Sequence, residues 1–128
     1  MRSMAQKEGV AQVVLATCSG ASNTGAVTAA AGDLVVAGVA GSHLICLPAL
    51  ALGRDKPIKR IQEAQAVVVI DGCAVRCASA IVRERTGREP DLSVEVVQDF
   101  AVEKKKDRDF DPEFARRVAD RVLGGLSG

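Results

Sequence analysis

Four short apolar runs set the problem this chain must solve. They are V-V-L-A-T (Val13–Thr17), H-L-I-C-L (His43–Leu47), A-V-V-V-I (Ala66–Ile70) and L-S-V-E-V-V (Leu92–Val97). Each has the length of a strand, and valine recurs in three of the four. The segments between and after them carry helix punctuation. Ser22 or Asn23 caps a helix running from Gly25 to about Val36. Asp55 to Ala64 reads as a second, with Asp55 as N-cap, Pro57 in the first turn, and Ile58, Ile61 and Ala64 on one face. Cys73 to Thr86 reads as a third, stopped by Gly87, with Ala74, Cys77, Ala78 and Ile81 on one stripe. Asp111 and Pro112 open the last, with Phe114, Val118 and Val122 inward. Residues 48–54 read as a loop or short helical turn, and Glu103–Asp109 as a charged loop.

Strand and helix therefore alternate along the chain. That order implies a mostly parallel four-stranded sheet with helices on both faces and right-handed crossovers. The expected fold is α/β, a single three-layer domain of the Rossmann/flavodoxin-like kind. Residues 1–10 are expected to be a disordered or tag-like start, and residues 11–128 the domain. Apolar residues are 48% of the chain but aromatic ones only 2%, so Val, Ala, Leu and Ile must build the core.

The formal net charge is +1. With so few aromatic rings there is neither a basic field nor a stacking platform for nucleic acid. No apolar stretch reaches the roughly 18 residues that span a bilayer, and the start M-R-S-M-A-Q-K-E-G is polar. A cytoplasmic location is the expectation. In that compartment, four cysteines read as metal ligands, catalytic thiols or buried small residues rather than as a disulfide framework.

Where the cysteines fall is the most informative feature. Cys18 follows the first strand, Cys46 lies near the end of the second, and Cys73 and Cys77 follow the third. All four map to the carboxyl edge of the sheet, where open parallel sheets bind ligands beside a topological switch point. Cys18 and Cys73 stand before or at helix starts, where free N–H groups and the helix dipole favour an anion. Cys73 and Cys77, one turn apart on the expected helix, join two thiolates from strand ends in a tetrahedral four-thiolate site. Zinc so bound carries a formal charge of about −2, which helix N-termini and Arg76 offset in part.

Each neighbouring residue has a plainer reading beside the chemical one. A lone C-x3-C is a weak signal, and Cys46 inside L-I-C-L also fits an ordinary core thiol. Asp71 fits an N-cap before the third helix better than a base or an acceptor beside the thiolates. Ser19, Ser22 and Asn23 read as loop and cap residues able to donate to cysteine sulfur. His43 is the only histidine and falls at the opposite edge from the thiols. G-x-G-x-x-G and a Walker loop are absent. Lys104–Lys106 read as a solvated run. The Gly/Ser loop after Cys18 also fits a thiol enzyme of oxyanion or redox chemistry, with Cys18 as nucleophile and Cys73 or Cys77 as resolving thiol. Such oxyanion loops carry an arginine, and positions 19–25 hold none.

The segments C-S-G-A-S-N-T-G (Cys18–Gly25), I-C-L (Ile45–Leu47) and V-I-D-G-C-A-V-R-C-A (Val69–Ala78) together resemble the DGC domain family, named for its Asp-Gly-Cys motif. V-E-K-K-K-D-R-D-F (Val102–Phe110) is similar to the corresponding part of that family, and the resemblance spans roughly residues 11 to 120. Members are described as zinc-binding on the strength of four cysteines. The resemblance implies that Cys18, Cys46, Cys73 and Cys77 are the ligands; it supplies no reaction and no substrate. The expected cofactor is zinc, with an iron–sulfur cluster as the alternative. The expected partners are a metal ion and a small ligand at the sheet's carboxyl edge, with neither nucleic acid nor membrane.

Overall fold

A computed structural model describes residues 12–127. The expectation for residues 1–10 lies outside them. The chain runs β1 (Val13–Thr17), α1 (Asn23–Gly38), β2 (Ser42–Leu44), α2 (Leu47–Ala51), α3 (Asp55–Glu63), β3 (Ala66–Asp71), α4 (Cys77–Thr86), β4 (Leu92–Glu95), α5 (Val96–Phe100) and α6 (Pro112–Ser127). The four strands form one sheet in the order β2-β1-β3-β4, and every pair is parallel.

Alternation along the strands sorts the core into two layers. Leu15, Val68, Ile70 and Val94 face one side, where they meet Val27, Ala31 and Val35 of α1 and Ala115, Val118, Ala119 and Val122 of α6. Val14, Ala16, Val67 and Val69 face the other, against Leu50 of α2, Ile61 of α3, and Ala78 and Val82 of α4. The result is the expected three-layer α/β arrangement. Small β-branched and alanine side chains suffice because the helices sit close. Gly32 shows how close: a Cβ there would lie 2.8 Å from the Thr17 methyl group.

The connection from β1 leads to β2 on one side, and the chain then returns past β1 to β3. The strand order reverses between β1 and β3. A crevice must open there at the carboxyl ends, since α1 and α4 leave on opposite faces.

α1 is longer than expected at both ends and Arg54 rather than Asp55 is the N-cap of α3; three further boundaries differ from the sequence reading, each for a local reason. β2 stops at Leu44 rather than Leu47, so Cys46 leaves the strand and becomes the N-cap of α2, with Pro48 in its first turn. β4 stops at Glu95 rather than Val97. The Glu95 carboxylate accepts the N–H of Gln98 at 2.8 Å, and Asp99 accepts the N–H of Glu95 at 2.9 Å. This reciprocal capping outweighs the strand preference of Val96 and Val97. The third expected helix begins at Cys77 instead of Cys73, because Arg76 takes a left-handed conformation with φ 54° and ψ 48° that no α-helix passes through. Cys73 and Cys77 therefore do not share a helical turn. The stripe buried by α4 is Ala78, Ser79 and Val82, and Cys77 is exposed.

Candidate metal centre

Cys18 is the first residue past β1. Its N–H donates to Ile70 O at 3.1 Å, which continues the β1–β3 ladder by one rung. The chain then turns sharply, with Ser19 at φ 49°. That turn is held by Ser19 N–H donating to Thr28 Oγ1 at 2.9 Å, and by a 2.8 Å hydrogen bond between the Ser19 and Thr17 hydroxyls. The Cys18 sulfur is left half-buried at the mouth of the switch point, where it accepts the N–H of Gly72 at 3.3 Å. The Thr28 hydroxyl lies 3.9 Å from the same sulfur but gives its proton to Gly25 O at 2.7 Å.

The Asp-Gly-Cys sequence has a separate task at each position. Asp71 ends β3 fully buried. Its Oδ1 accepts Ala78 N–H at 2.9 Å and its Oδ2 accepts the Ser79 hydroxyl at 2.5 Å. It thus caps α4 from across the 72–76 loop, a longer reach than the adjacent N-cap expected from sequence, and its two oxygens are engaged there rather than at a thiol. Gly72 allows the loop to lie against the start of α1. A Cβ on it would sit 2.9 Å from Gly25 N and 3.0 Å from Gly25 Cα. Gly25 is confined in turn, since its Cβ would lie 2.6 Å from Gly20 O. Cys73 is then presented half-buried in the loop, where Lys104 Nζ donates to its sulfur at 3.6 Å.

Two crevices flank Cys18. The larger, about 760 Å³, is lined by Cys18, Cys73 and Cys77, by Gly20–Ser22, and by Lys104, Lys105 and Lys106. The smaller, about 480 Å³, is lined by Cys18 and Cys46 together with Ser19, Asp33, Leu47 and Pro48. Cys18 borders both, so the four thiols lie around the end of β1. All four are free cysteines.

The lysine run forms a wall of this site, a role its sequence does not announce. It is exposed, as expected of a charged loop, yet it is pinned over the start of α1. Asn23 Oδ1 accepts Lys105 N–H at 2.6 Å, Asn23 Nδ2 donates to Glu103 O at 3.1 Å, and Asn23 N–H donates to Lys105 O at 3.1 Å. Arg108 closes the far end by donating to Gly20 O. Asn23 thereby acts on the thiols indirectly, by placing Lys104. Ser22 caps α1, its hydroxyl accepting Gly25 N–H at 3.1 Å.

Three named residues remain, of which Ser19 lines the smaller crevice. Ser19 holds the turn after Cys18. The Arg76 guanidinium donates to Ser93 on β4 at 3.4 Å. His43 is exposed in β2, away from both crevices.

The donor set suits a soft divalent ion: four thiols and no competing imidazole. Yet among the described residues no three His, Cys, Asp or Glu side chains stand close enough to hold a metal ion. Nor is any described helix long and apolar enough to cross a membrane. Among known proteins, a family model described as DGC domain matches residues 14–122. No curated protein and no solved structure was found to match the chain.

Proposed function

Starting from the fact that the chain belongs to the DGC domain family, we propose that it binds one metal ion through its four cysteines, with zinc as the ion and Cys18, Cys46, Cys73 and Cys77 as ligands. One observation carries this reading. Cys18 borders both crevices, so that Cys73 and Cys77 lie to one side of it and Cys46 to the other. Loops leaving three neighbouring strands have each brought a free thiol to the switch point.

A bound zinc would supply positive charge that holds the thiolates together and cross-links the three loops, adding folding free energy. The protein's own groups prepare for that. Gly72 N–H donates to the Cys18 sulfur. Lys104 places an ammonium beside Cys73, and with Lys105 and Lys106 it offsets the formal charge of about −2 of a four-thiolate zinc site. Asp71, by capping α4, fixes the loop from which Cys73 projects and the helix start that carries Cys77. Because the thiols are not gathered within reach of one point, metal uptake on this reading draws the 72–77 and 45–47 segments inward.

The test is metal content. The protein is purified without chelators, and zinc, iron and free thiols are measured per chain. About one zinc with four protected thiols supports the reading. Iron with inorganic sulfide transfers the same ligands to an iron–sulfur cluster. No metal, with one cysteine reacting far faster than the rest, supports the second reading, a thiol-based enzyme with Cys18 as nucleophile. One contact favours that second reading: the ammonium of Lys104 lies against Cys73, one of the two thiols it offers as resolving partner.

A further inference from the structure

The larger crevice is unbalanced in charge. Its lining holds three lysines, three cysteines and no carboxylate. Glu103, Asp107 and Asp109 flank the lysines in sequence, but none of the ion pairs among the described residues involves Lys104, Lys105 or Lys106. Asp107 instead accepts the N–H of Asp109 at 3.0 Å. No acid joins the three lysines in the lining of the cavity. A low-dielectric cleft walled by charge of one sign concentrates counter-charge inside it.

We propose that this crevice binds a small molecule bearing an oxyanion group, a phosphate or a carboxylate, with Lys104, Lys105 and Lys106 as the recognition side chains. The volume of about 760 Å³ lies within the roughly 300–1,000 Å³ of small-molecule sites and exceeds what an inorganic anion alone would fill. Ala21 and the exposed Val75 supply apolar wall for the rest of such a molecule. The inference does not rest on the metal reading. A four-thiolate zinc site of formal charge about −2 would still leave a wall of three lysines with positive charge to spare. Lysines act as point charges rather than as a fixed fork, so binding is expected to be modest and to weaken with salt. Asn23 makes the site a built one: it holds the lysine segment to the start of α1 by three hydrogen bonds.

The test uses the full, reduced, metal-free chain at low ionic strength. Inorganic phosphate and acetate are titrated separately while backbone amide resonances are followed. Saturable shifts confined to residues 20–22, 72–75 and 104–106, with a Kd on the order of a millimolar, are expected for at least one anion, and the tighter one identifies the headgroup. The double variant Lys104→Gln/Lys106→Gln should weaken binding by about tenfold or more, the loss of two direct charge contacts. Asn23→Ala, which keeps every lysine, should weaken it several-fold. Lys56→Gln/Lys59→Gln on α3, which lines neither crevice, should leave it unchanged. Shifts that never saturate, or an α3 variant that weakens binding as much as the crevice variant, would overturn the proposal. So would wild-type binding by Asn23→Ala.

Discussion

The Gly72 N–H donates to the Cys18 sulfur at 3.3 Å, across 54 residues of chain. That bond joins the carboxyl ends of β1 and β3 at the point where the strand order reverses. It can form only because Gly72 has no side chain, since the backbone of α1 occupies the space a Cβ would need. Thiol placement and close helix packing are therefore one feature of this fold, and substitutions at either should disturb both.

Gly72→Ala should destabilise the protein by about 1–3 kcal/mol, the usual cost of forcing extra volume into a packed site. Its neighbours at 2.9–3.0 Å are backbone atoms of Thr24 and Gly25, which cannot swing aside as a side chain could. Gly124→Ala, with nothing within 4 Å of its Cβ, is the control: it lies near the end of α6, so the change should be neutral or stabilise by up to about 1 kcal/mol. Urea unfolding of both variants checks the difference.

Asp71→Ala should cost about 1–3 kcal/mol, because it leaves a buried helix N–H and a buried hydroxyl without their acceptor. Asp71→Asn keeps an acceptor oxygen and the side-chain volume, so it should lose less. The Ala variant should also speed modification of Cys73, whose loop is anchored through Asp71, while leaving Cys46 unchanged. Urea midpoints and the rate of iodoacetamide labelling at each cysteine report the two effects.

Asn23→Ala should free residues 103–106. The Lys105 amide, which donates to Asn23 at 2.6 Å, should exchange with solvent at least about tenfold faster, as expected when a protecting bond is lost locally. Tryptic cleavage after Lys104, Lys105 or Lys106 should quicken in parallel. Global stability should fall by only about 1 kcal/mol. An unchanged exchange rate at Lys105 would mean that this segment is held by something other than Asn23.

The metal-free, reduced chain should show two classes of thiol. Cys46 and Cys77 are exposed; Cys18 and Cys73 are half-buried. Cys46 and Cys77 should react first with a bulky disulfide reagent. Cys18, packed against Gly72 and with Gly20 beside it, should react among the last. Mass mapping of partially labelled protein gives the order, and Cys18 labelling ahead of Cys46 would contradict it.

Much of this was readable in the chain itself, and the limits have physical causes. Val-rich runs placed β1 and β3 to within a residue, because a strand buried on both faces has few other compositions open to it. Positions relative to those strands then put all four cysteines at one edge. The start of α4 is not local information: Ala74 and Val75 fit a helix, while the left-handed turn at Arg76 and the reach of Asp71 to Ala78 depend on how the loop closes. The part played by Lys104 was not legible at all. The segment that carries it is held in place by Asn23, some eighty positions earlier, and no local pattern marks two polar residues that meet only after the sheet is assembled. A run of lysines followed by acids reads as solvated because local charge pairing is the default expectation. Here the Asp107 carboxylate accepts a backbone N–H instead, none of the lysines enters an ion pair among the described residues, and all three line the crevice.

The most direct measurement is titration of the reduced, metal-free chain with cobalt(II) as an optical stand-in for zinc. Four cysteines acting as one tetrahedral site should bind a single equivalent, with an intense thiolate-to-cobalt charge-transfer band and tetrahedral ligand-field bands. Each of Cys18→Ser, Cys46→Ser, Cys73→Ser and Cys77→Ser should lower the charge-transfer band by about a quarter, one thiolate in four. Zinc should displace the cobalt. A chain that develops no such band, or whose Cys46→Ser variant gives the wild-type spectrum, would contradict a four-cysteine metal site.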